Sequence, residues 1–314
     1  MKPSAWRPES ITDQTGRTFL VTGTSPGGIG FHVALSLAAA GGRVVLAGRT
    51  PERITAAVAQ IRAAAPEADL EELVVDLAAQ DSVRRAAREA EVFGPLHALV
   101  NNAGVRATRL QRTVDGLELQ MATNHFGPFL LTGLLLPQLV ASGDGRVVTV
   151  ASRAHHRARR APLEDPRTPP FPYRKLATYD RSKLANLLFT FELDRRLWAA
   201  QSAAQSPVRA LAAHPGYAAT PLFANGAYGR PSGGPASILD AVHKAVAQPA
   251  AHGAWPVLMA TLDDLPGATY CGPTGRGELR GPPGVVQASN LAHDAAAQRE
   301  LWEISERTVG LRYP

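Results

Sequence analysis

Short runs of apolar residues alternate along the chain with longer segments in which apolar positions recur every three or four residues. The runs are typical of buried strands and the longer segments of helices, as where Ile29, Val33 and Leu37 would share one helix face. This pattern predicts six strands, at 17–22, 43–47, 73–75, 96–100, 146–151 and 208–213. It predicts helices from Ile29, over 51–65 and 83–90, within 116–141, and over 179–200, with Pro128 and Pro137 marking a helix start or a break.

The predicted strands are almost continuously apolar, so both of their faces should be covered. We therefore predict an α/β fold of the doubly wound Rossmann type, in which a parallel sheet carries helices on both faces. No linker divides the chain, and we expect a single domain over residues 1–314. Two longer loops, 155–178 and 217–249, follow the carboxyl ends of strands, where such sheets bind ligands. We expect both loops to border the active site.

Composition narrows the class of protein. The chain has 314 residues, of which 45% are hydrophobic and 19% charged, as in folded globular proteins. The single cysteine, Cys271, excludes an internal disulfide and favours a reducing compartment, and we expect the cytoplasm. No apolar stretch reaches the length of a membrane span, and the N-terminal residues do not resemble a signal peptide. The nine histidines lack the spacing of a metal site, so no metal is predicted.

The net charge of +6 arises almost entirely from arginine, since only four of the 33 basic residues are lysine. A protein that binds nucleic acid should concentrate its basic residues on one face or in one motif. Only 153–160 is dense in arginine, and it lies in a predicted loop. We attribute the charge to genome composition and expect no nucleic-acid partner.

A glycine-rich turn, Gly23-Thr24-Ser25-Pro26-Gly27-Gly28-Ile29-Gly30, joins the first strand to the first helix. Glycines allow a tight turn and a close approach of the backbone, and a helix N-terminus attracts phosphate. The turn therefore predicts a dinucleotide site. Arg49 follows the second strand, where NAD-binding proteins usually carry an acid, and an arginine there suits a 2′-phosphate. We predict NADP(H) as the preferred cofactor and NAD(H) otherwise.

Six further motifs lie at the ends of predicted strands or on predicted helices. They are Asp76-Leu77, the turn Asn101-Asn102-Ala103-Gly104, Asn124 within MATNHFG, Ser152, the Tyr-x-x-x-Lys pair of Tyr179 and Lys183, and His214-Pro215-Gly216 with Thr220 beyond it. In this order they resemble the short-chain dehydrogenase/reductase family over about residues 17–220. The segment VASRAH and residues 182–190 further resemble retinol-dehydrogenase-like and carbonyl-reductase-like members.

The resemblance implies four catalytic residues: Asn124, Ser152, Tyr179 and Lys183. With the glycine turn and Arg49, it also implies a set of cofactor-binding residues: Gly23, Thr24, Ser25, Gly28, Ile29, Arg49, Asp76, Leu77, Asn102, Ala103, Gly104, Tyr179, Lys183, Pro215, Gly216 and Thr220. Ser152 would hydrogen-bond to the substrate oxygen, Lys183 would bind the nicotinamide ribose, and Asn124 would anchor a chain of water molecules. Helices near 125–139 and 185–197 would pair between subunits of a homodimer or homotetramer.

Chemistry supports these roles. Tyr179 and Lys183 share a helix face, and an ammonium or a positively charged nicotinamide lowers the pKa of a nearby phenol. The same phenol can donate its proton to an alkoxide formed by hydride transfer. We predict an NADP-dependent oxidoreductase that interconverts a carbonyl and an alcohol. Because Leu222, Phe223 and Tyr228 give the 217–249 loop an apolar side, we expect a lipophilic small-molecule substrate.

Two alternatives remain at this point. Tyr-x-x-x-Lys also occurs in the extended nucleotide-sugar epimerases and dehydratases, and a cofactor-binding sensor or scaffold could retain the fold without catalysis.

The glycine turn departs from the family pattern, since four residues separate Gly23 from Gly28 where the family has three. The insertion leaves open which backbone amides face the pyrophosphate. The loop histidines His155 and His156 could contact the substrate, but we expect them to be exposed to solvent.

Overall fold

A computed structural model describes residues 6–168, 170–201, 208–218 and 247–314 of the protein. Its centre is an eight-stranded sheet with the order β3-β2-β1-β4-β5-β6-β7-β8. All neighbouring strands are parallel except β7 and β8, which are antiparallel. The strands are β1 Thr18–Thr22, β2 Arg43–Gly48, β3 Leu70–Val74, β4 Ala98–Asn101, β5 Arg146–Val150, β6 Arg209–Ala213, β7 Tyr270–Pro273 and β8 Pro283–Val285.

Helices connect the parallel strands and cover both faces of the sheet. They are α1 Ile29–Ala39, α2 Pro51–Ala64, α3 Gln80–Glu89, α4 Leu119–Met121, α5 Gly127–Ala141, α6 Lys175–Gln201, α7 Ala250–Leu262 and α8 Ala295–Val309. Apolar side chains of α1, α2 and α7 pack on one face, and those of α3, α5, α6 and α8 pack on the other. The predicted doubly wound α/β fold is confirmed.

Some predicted element boundaries are wrong, each for a local reason. Strand β3 begins at Leu70 rather than residue 73, because Glu71 and Glu72 interrupt the apolar pattern of a partly exposed edge strand. Pro137 lies inside α5 without ending it. Helix α6 begins at Lys175, one turn before Tyr179. The tail after residue 247, which the apolar pattern did not resolve, supplies α7, α8 and the last two strands.

The loop predicted to border the active site at 155–178 is tied to the body of the protein. Arg157 donates two hydrogen bonds to the Asp180 carboxylate, at 2.6 and 3.1 Å. The Tyr173 hydroxyl donates to Glu118 Oε1 at 2.8 Å and accepts from Gln120 Nε2 at 2.8 Å. Of the 217–249 loop, residues 219–246 lie outside the described residues, and so do Leu222, Phe223 and Tyr228.

Much of the positive charge of 153–160 is matched by acidic side chains. Arg157 pairs with Asp180, Arg160 pairs with Glu164 at 2.8 Å, and Arg153 lies 3.9 Å from Glu278. The segment therefore does not present a continuous basic surface. In the part of the chain that the structure describes, no helix is long and apolar enough to cross a membrane.

Candidate active site

The glycine turn after β1 contains a second, smaller turn that accommodates its extra residue. The Gly28 N–H donates to Ser25 O at 3.1 Å, and Gly27 has a φ of +73°. Pro26 and Gly27 thus occupy the positions that proline and glycine favour in a type II turn. Gly28 remains the residue that caps α1, so the insertion is absorbed before the helix begins.

The predicted Asn101–Gly104 turn packs directly against the glycine turn. The Thr22 hydroxyl accepts hydrogen bonds from the backbone N–H groups of Asn102 and Ala103, both at 3.0 Å. The Asn102 amide donates to the carbonyls of Thr22 and Gly23 at 2.7 and 3.1 Å. A Cβ at Gly30 would lie 2.4 Å from Asn102 Nδ2, so only glycine fits there. The two turns therefore form one rigid unit.

This unit fits a dinucleotide phosphate. Gly28 supplies no side-chain cap to the N–H groups of α1, which leaves that helix end suited to an anion. The Thr24 hydroxyl is buried and makes no hydrogen bond within the described structure. A buried hydroxyl of this kind indicates a missing partner. Ser25 and the largely buried Ile29 flank the same helix end.

The predicted adenosine-side residues meet at the carboxyl edge of β2 and β3. The register pairs Gly48 with Val74, so exposed Arg49 and half-buried Asp76 follow neighbouring strands at this edge. Asp76 Oδ1 accepts from the Ala78 N–H at 2.9 Å. The Leu77 side chain is buried in the core, which leaves its backbone as the part able to face a ligand.

The segment after β6 is held by the tail of the chain. The Pro215 carbonyl accepts from Gln248 Nε2 at 2.7 Å. Gly216 has a φ of +65°, and a Cβ there would lie 2.5 Å from Leu279 O. Thr220 lies outside the described residues. Pro215 and Gly216 thus border the same edge of the sheet as the glycine turn.

Asn124 lies in a π-helical turn, Ala122–Phe126, between α4 and α5. Such turns are frequent at functional sites. The Asn124 amide is fully engaged by protein: Oδ1 accepts from the Val105 N–H at 2.7 Å, and Nδ2 donates to Val105 O at 3.0 Å and to Ser182 Oγ at 2.9 Å. Gly104 lies against it, since a Cβ there would be 3.0 Å from Asn124 Oδ1.

The structure brings Ser152, Tyr179 and Lys183 together. The Ser152 hydroxyl, at the end of β5, interacts with the phenol of Tyr179. Lys183 Nζ lies 5.9 Å from the centroid of the Tyr179 ring and donates to Val150 O at 2.8 Å. Tyr179 and Lys183 are 5% and 4% exposed, so both side chains lie where water is largely excluded.

Burial changes the proton affinity of both groups. Desolvation raises the pKa of Tyr179 above its ordinary value, while the Ser152 hydroxyl and the Arg106 guanidinium act to lower it. Desolvation also lowers the pKa of Lys183 to about 8. At pH 7 the phenol therefore keeps its proton and most of the lysine remains charged.

Comparison with known proteins agrees with this geometry. Residues 17–162 match the family model described as short chain dehydrogenase. The chain is 35% identical to human retinol dehydrogenase 13 over 308 residues, which cover 95% of this chain and 86% of the relative. The chain belongs to the short-chain dehydrogenase/reductase family. Its retinol-dehydrogenase-like character, predicted from VASRAH, is confirmed.

Two further likenesses extend over nearly the whole chain. Polyprenol dehydrogenase of Danio rerio is 31% identical over 321 residues, covering 98% of this chain and 91% of the relative. The crystal structure of an uncharacterized protein from Mycobacterium paratuberculosis has a TM-score of 0.80 and 36% identity, and the match covers 99% of this chain and 100% of that one. The family match and the dehydrogenase relatives confirm the predicted NAD(P)-dependent oxidoreductase.

Within this short-chain dehydrogenase, two residues of the site were missed by sequence reasoning. Arg106 places its guanidinium carbon 5.6 Å from the centroid of the Tyr179 ring. Its position two residues after Gly104 was the sequence feature that could have identified it as part of the site.

The prediction that His155 is exposed to solvent is wrong. It is fully buried, with Nδ1 2.6 Å from Ser152 O and Nε2 accepting from the Ser289 N–H at 3.1 Å. Its partner Ser289 is distant in sequence, so no local pattern could reveal it.

Proposed function

We propose that this short-chain dehydrogenase interconverts a carbonyl and an alcohol on a lipophilic small molecule, with NADP(H) as cofactor and Tyr179 as general acid and base. The observation that carries the proposal is the buried convergence of the Ser152 hydroxyl, the Tyr179 phenol and the Lys183 ammonium. A phenol that keeps its proton at neutral pH is ready to act as an acid towards a developing alkoxide.

In the reductive direction, Tyr179 donates the proton to the substrate oxygen, which becomes the alcohol hydroxyl. Ser152 holds that oxygen by a hydrogen bond. When bound, the nicotinamide supplies hydride to the carbonyl carbon or accepts hydride from the alcohol. In the oxidative direction the phenolate must form, and the positive charges of Lys183 and Arg106 favour it.

Asn124 acts as a positioning residue in this proposal. Both ends of its amide bind Val105, and Nδ2 also binds Ser182. It thereby fixes the segment after the Asn101–Gly104 turn against α6, which carries Tyr179 and Lys183. A role in anchoring the water chain that resupplies the proton stays a prediction.

The choice of NADP(H) rests on exposed Arg49 at the end of β2, where no described residue forms an ion pair with it. The lipophilic substrate is supported by relatives whose names specify retinol and polyprenol. We further propose that the whole chain functions as one domain. The cytoplasmic location, the homo-oligomer and the absence of a nucleic-acid partner stay predictions.

Replacing Tyr179 by phenylalanine tests the proposal. In Tyr179→Phe, kcat for reduction of a lipophilic ketone by NADPH should fall by about 1,000-fold, because the proton donor is removed. Binding of NADPH, followed by its fluorescence, should persist. Tyr313→Phe is the matched control, since the Tyr313 hydroxyl is buried on Phe129 O at 2.8 Å, away from the site. An unchanged rate in Tyr179→Phe would overturn the mechanism.

A further inference from the structure

The tail of the chain brings Tyr270, Glu278 and Ser289 to the site, where they meet Arg153 and His214 from the segments that follow β5 and β6. Five of their buried atoms make no aligned hydrogen bond in the described structure: Arg153 Nε, His214 Nε2, Tyr270 Oη, Glu278 Oε2 and Ser289 Oγ. We name these five residues the tail subsite. Glu278 Oε2 lies 3.2 Å from His214 Nε2 and 3.9 Å from Arg153 Nε, so these three atoms face one another, whereas the Tyr270 and Ser289 hydroxyls have no partner among the described residues. Buried polar atoms are nearly always paired in folded proteins, so the two hydroxyls require a partner.

Contacts between these residues show that they form one cluster. The Tyr270 ring lies 5.3 Å from the His214 ring and 5.6 Å from the His155 ring, measured between centroids. Glu278 Oε2 is 3.2 Å from His214 Nε2 and 3.9 Å from Arg153 Nε. Ser289 joins through its N–H, which donates to His155 at 3.1 Å. Five separate segments thus meet around Tyr270.

The cluster borders the catalytic groups. Arg153 directly follows Ser152, and Tyr270 pairs with Ala212, one residue before β6 ends. The Tyr270 side chain packs in the same apolar cluster as α6, on the face of the sheet that carries Tyr179. The two phenols interact electrostatically. The tail subsite therefore lies on the catalytic side of the sheet, near its carboxyl edge.

Glu278 is held there at a conformational cost. Its φ is +55°, a left-handed conformation that costs a residue with a Cβ free energy, and such strain concentrates at functional sites. The adjoining Leu279 carbonyl accepts from the Tyr217 N–H at 2.7 Å, which fixes this turn to the segment after Gly216. The fold thus directs a carboxylate towards His214 and Arg153.

Charge and hydrogen-bonding capacity indicate what the cluster would bind. Glu278 and Arg153 carry opposite charges, so the subsite as a whole favours an uncharged ligand group. Glu278 Oε2 can only accept a hydrogen bond, whereas Tyr270 Oη can donate one. A hydroxyl group satisfies both at once, because it donates and accepts. Arg153 would repel an ammonium group, and Glu278 would repel a carboxylate.

We propose that the tail subsite recognises a second hydroxyl group on the substrate, separate from the carbonyl or alcohol that reacts at Tyr179. This inference rests on the proposed function. It makes the natural substrate a lipophilic hydroxy-ketone, hydroxy-aldehyde or diol. Tyr270 and Glu278 are then specificity-determining residues.

Matched substrates test the inference. Each of several lipophilic ketones would be compared with a hydroxylated analogue of the same skeleton, with the hydroxyl at increasing distances from the carbonyl. An example is 4-phenylbutan-2-one against 4-(4-hydroxyphenyl)butan-2-one. For at least one pair, kcat/KM with NADPH should favour the hydroxylated member by about tenfold or more, since a site built for a hydroxyl discriminates against its absence.

Variants locate the source of that preference. In Tyr270→Phe and in Glu278→Gln, the preference ratio should fall towards about 1, because one hydrogen bond to the hydroxyl is lost or weakened. Tyr313→Phe removes another buried phenolic hydroxyl and should leave the ratio as in the wild type. A structural role alone would change both members of a pair equally and would not change their ratio.

The outcomes separate the two proposals. A wild-type enzyme that reduces the plain ketones with no preference in any pair, or a preference that survives in Tyr270→Phe and Glu278→Gln, overturns the tail subsite and leaves the proposed function standing. A protein that binds NADPH but reduces no ketone or aldehyde overturns both.

Discussion

The glycine-turn region and the tail subsite border the same edge of the sheet, yet they are built in opposite ways. In the glycine-turn region, the backbone forms most of the site: Asn102 Nδ2 and the Thr22 hydroxyl bind backbone groups, and one buried hydroxyl, that of Thr24, has no partner in the described structure. In the tail subsite, side chains from distant segments meet and leave the buried hydroxyls of Tyr270 and Ser289 without a hydrogen bond in the described structure. The comparison suggests that the first region is prepared for a cofactor common to the family, and the second for a ligand particular to this chain.

The largest effect should follow from disturbing the glycine-turn region. In Gly30→Ala, the new Cβ would collide with Asn102 Nδ2 at 2.4 Å and with Gly23 O at 2.6 Å. We expect the free energy of unfolding to drop by about 1–3 kcal/mol. Cofactor affinity should weaken on the order of 100-fold, equivalent to about 2.7 kcal/mol. Thermal or chemical unfolding and NADPH fluorescence titration would measure the two effects.

Gly143→Ala provides the matched control. Gly143 also has a positive φ, +79°, but no atom lies within 4 Å of its added Cβ, and it precedes β5 at the opposite edge of the sheet. The Gly143→Ala variant should lose some folding stability through backbone strain and keep full affinity for the cofactor. Equal losses of affinity in the two variants would show that the packing of the two turns is not what prepares the cofactor site.

The loss of folding stability at acid pH should depend on His155, whose ring joins the Ser152 segment to the tail. Burial lowers the pKa of His155 to about 4 from 6.5. The unfolded chain therefore binds this proton more readily, and the free energy of unfolding falls as the pH drops from about 6.5 to 4, by up to about 3 kcal/mol from this residue. His155→Gln should flatten that slope in denaturant titrations at a series of pH values.

His156 supplies the control for this pH dependence, because it neighbours His155 but is exposed. His156→Gln should flatten the slope less than His155→Gln does, because desolvation also lowers the pKa of His156 but that side chain is exposed. The same slope in all three proteins would mean that His155 is not the buried, neutral histidine that the structure describes.

A smaller change should follow from reversing the charge at Arg49. In Arg49→Asp, we expect the ratio of kcat/KM for NADPH to that for NADH to fall by about 10- to 100-fold, as the 2′-phosphate loses a cation and meets an anion. Parallel assays with the two cofactors measure it. A ratio that does not change would refute the NADP preference and leave the dinucleotide site in place.

The smallest effect is expected at Arg106. In Arg106→Gln, loss of the guanidinium 5.6 Å from the Tyr179 ring should raise the pKa of the phenol further. Alcohol oxidation, which needs the phenolate, should slow by about tenfold or less, and carbonyl reduction should slow less than oxidation. Arg109→Gln, at an exposed position nearby, should change neither rate. Equal slowing in both directions would count against an electrostatic role.

The sequence predicted the two regions unequally for a physical reason. Gly23, Gly28 and Gly30 reflect backbone constraints within one turn, and Tyr179 and Lys183 reflect one helix face, so short segments carry the signal. Tyr270, Glu278 and Ser289 come together only through the pairing of β6 with β7 and the packing of the tail. The burial of His155 likewise depends on Ser289, 134 residues away.

A measurement of the pKa of the Tyr179 phenol, with and without cofactor, most directly tests whether Tyr179 is the general acid and base beside the nicotinamide. Ultraviolet absorbance of wild type minus Tyr179→Phe, followed against pH, reports ionisation of this one phenol. Without cofactor, we expect the midpoint of phenol ionisation to lie above the ordinary value of 10.0, because burial raises the pKa of Tyr179. Oxidised NADP should lower that midpoint by at least about one pH unit, since a positive ring beside the phenol favours the phenolate. A midpoint that does not respond to the cofactor would contradict the account.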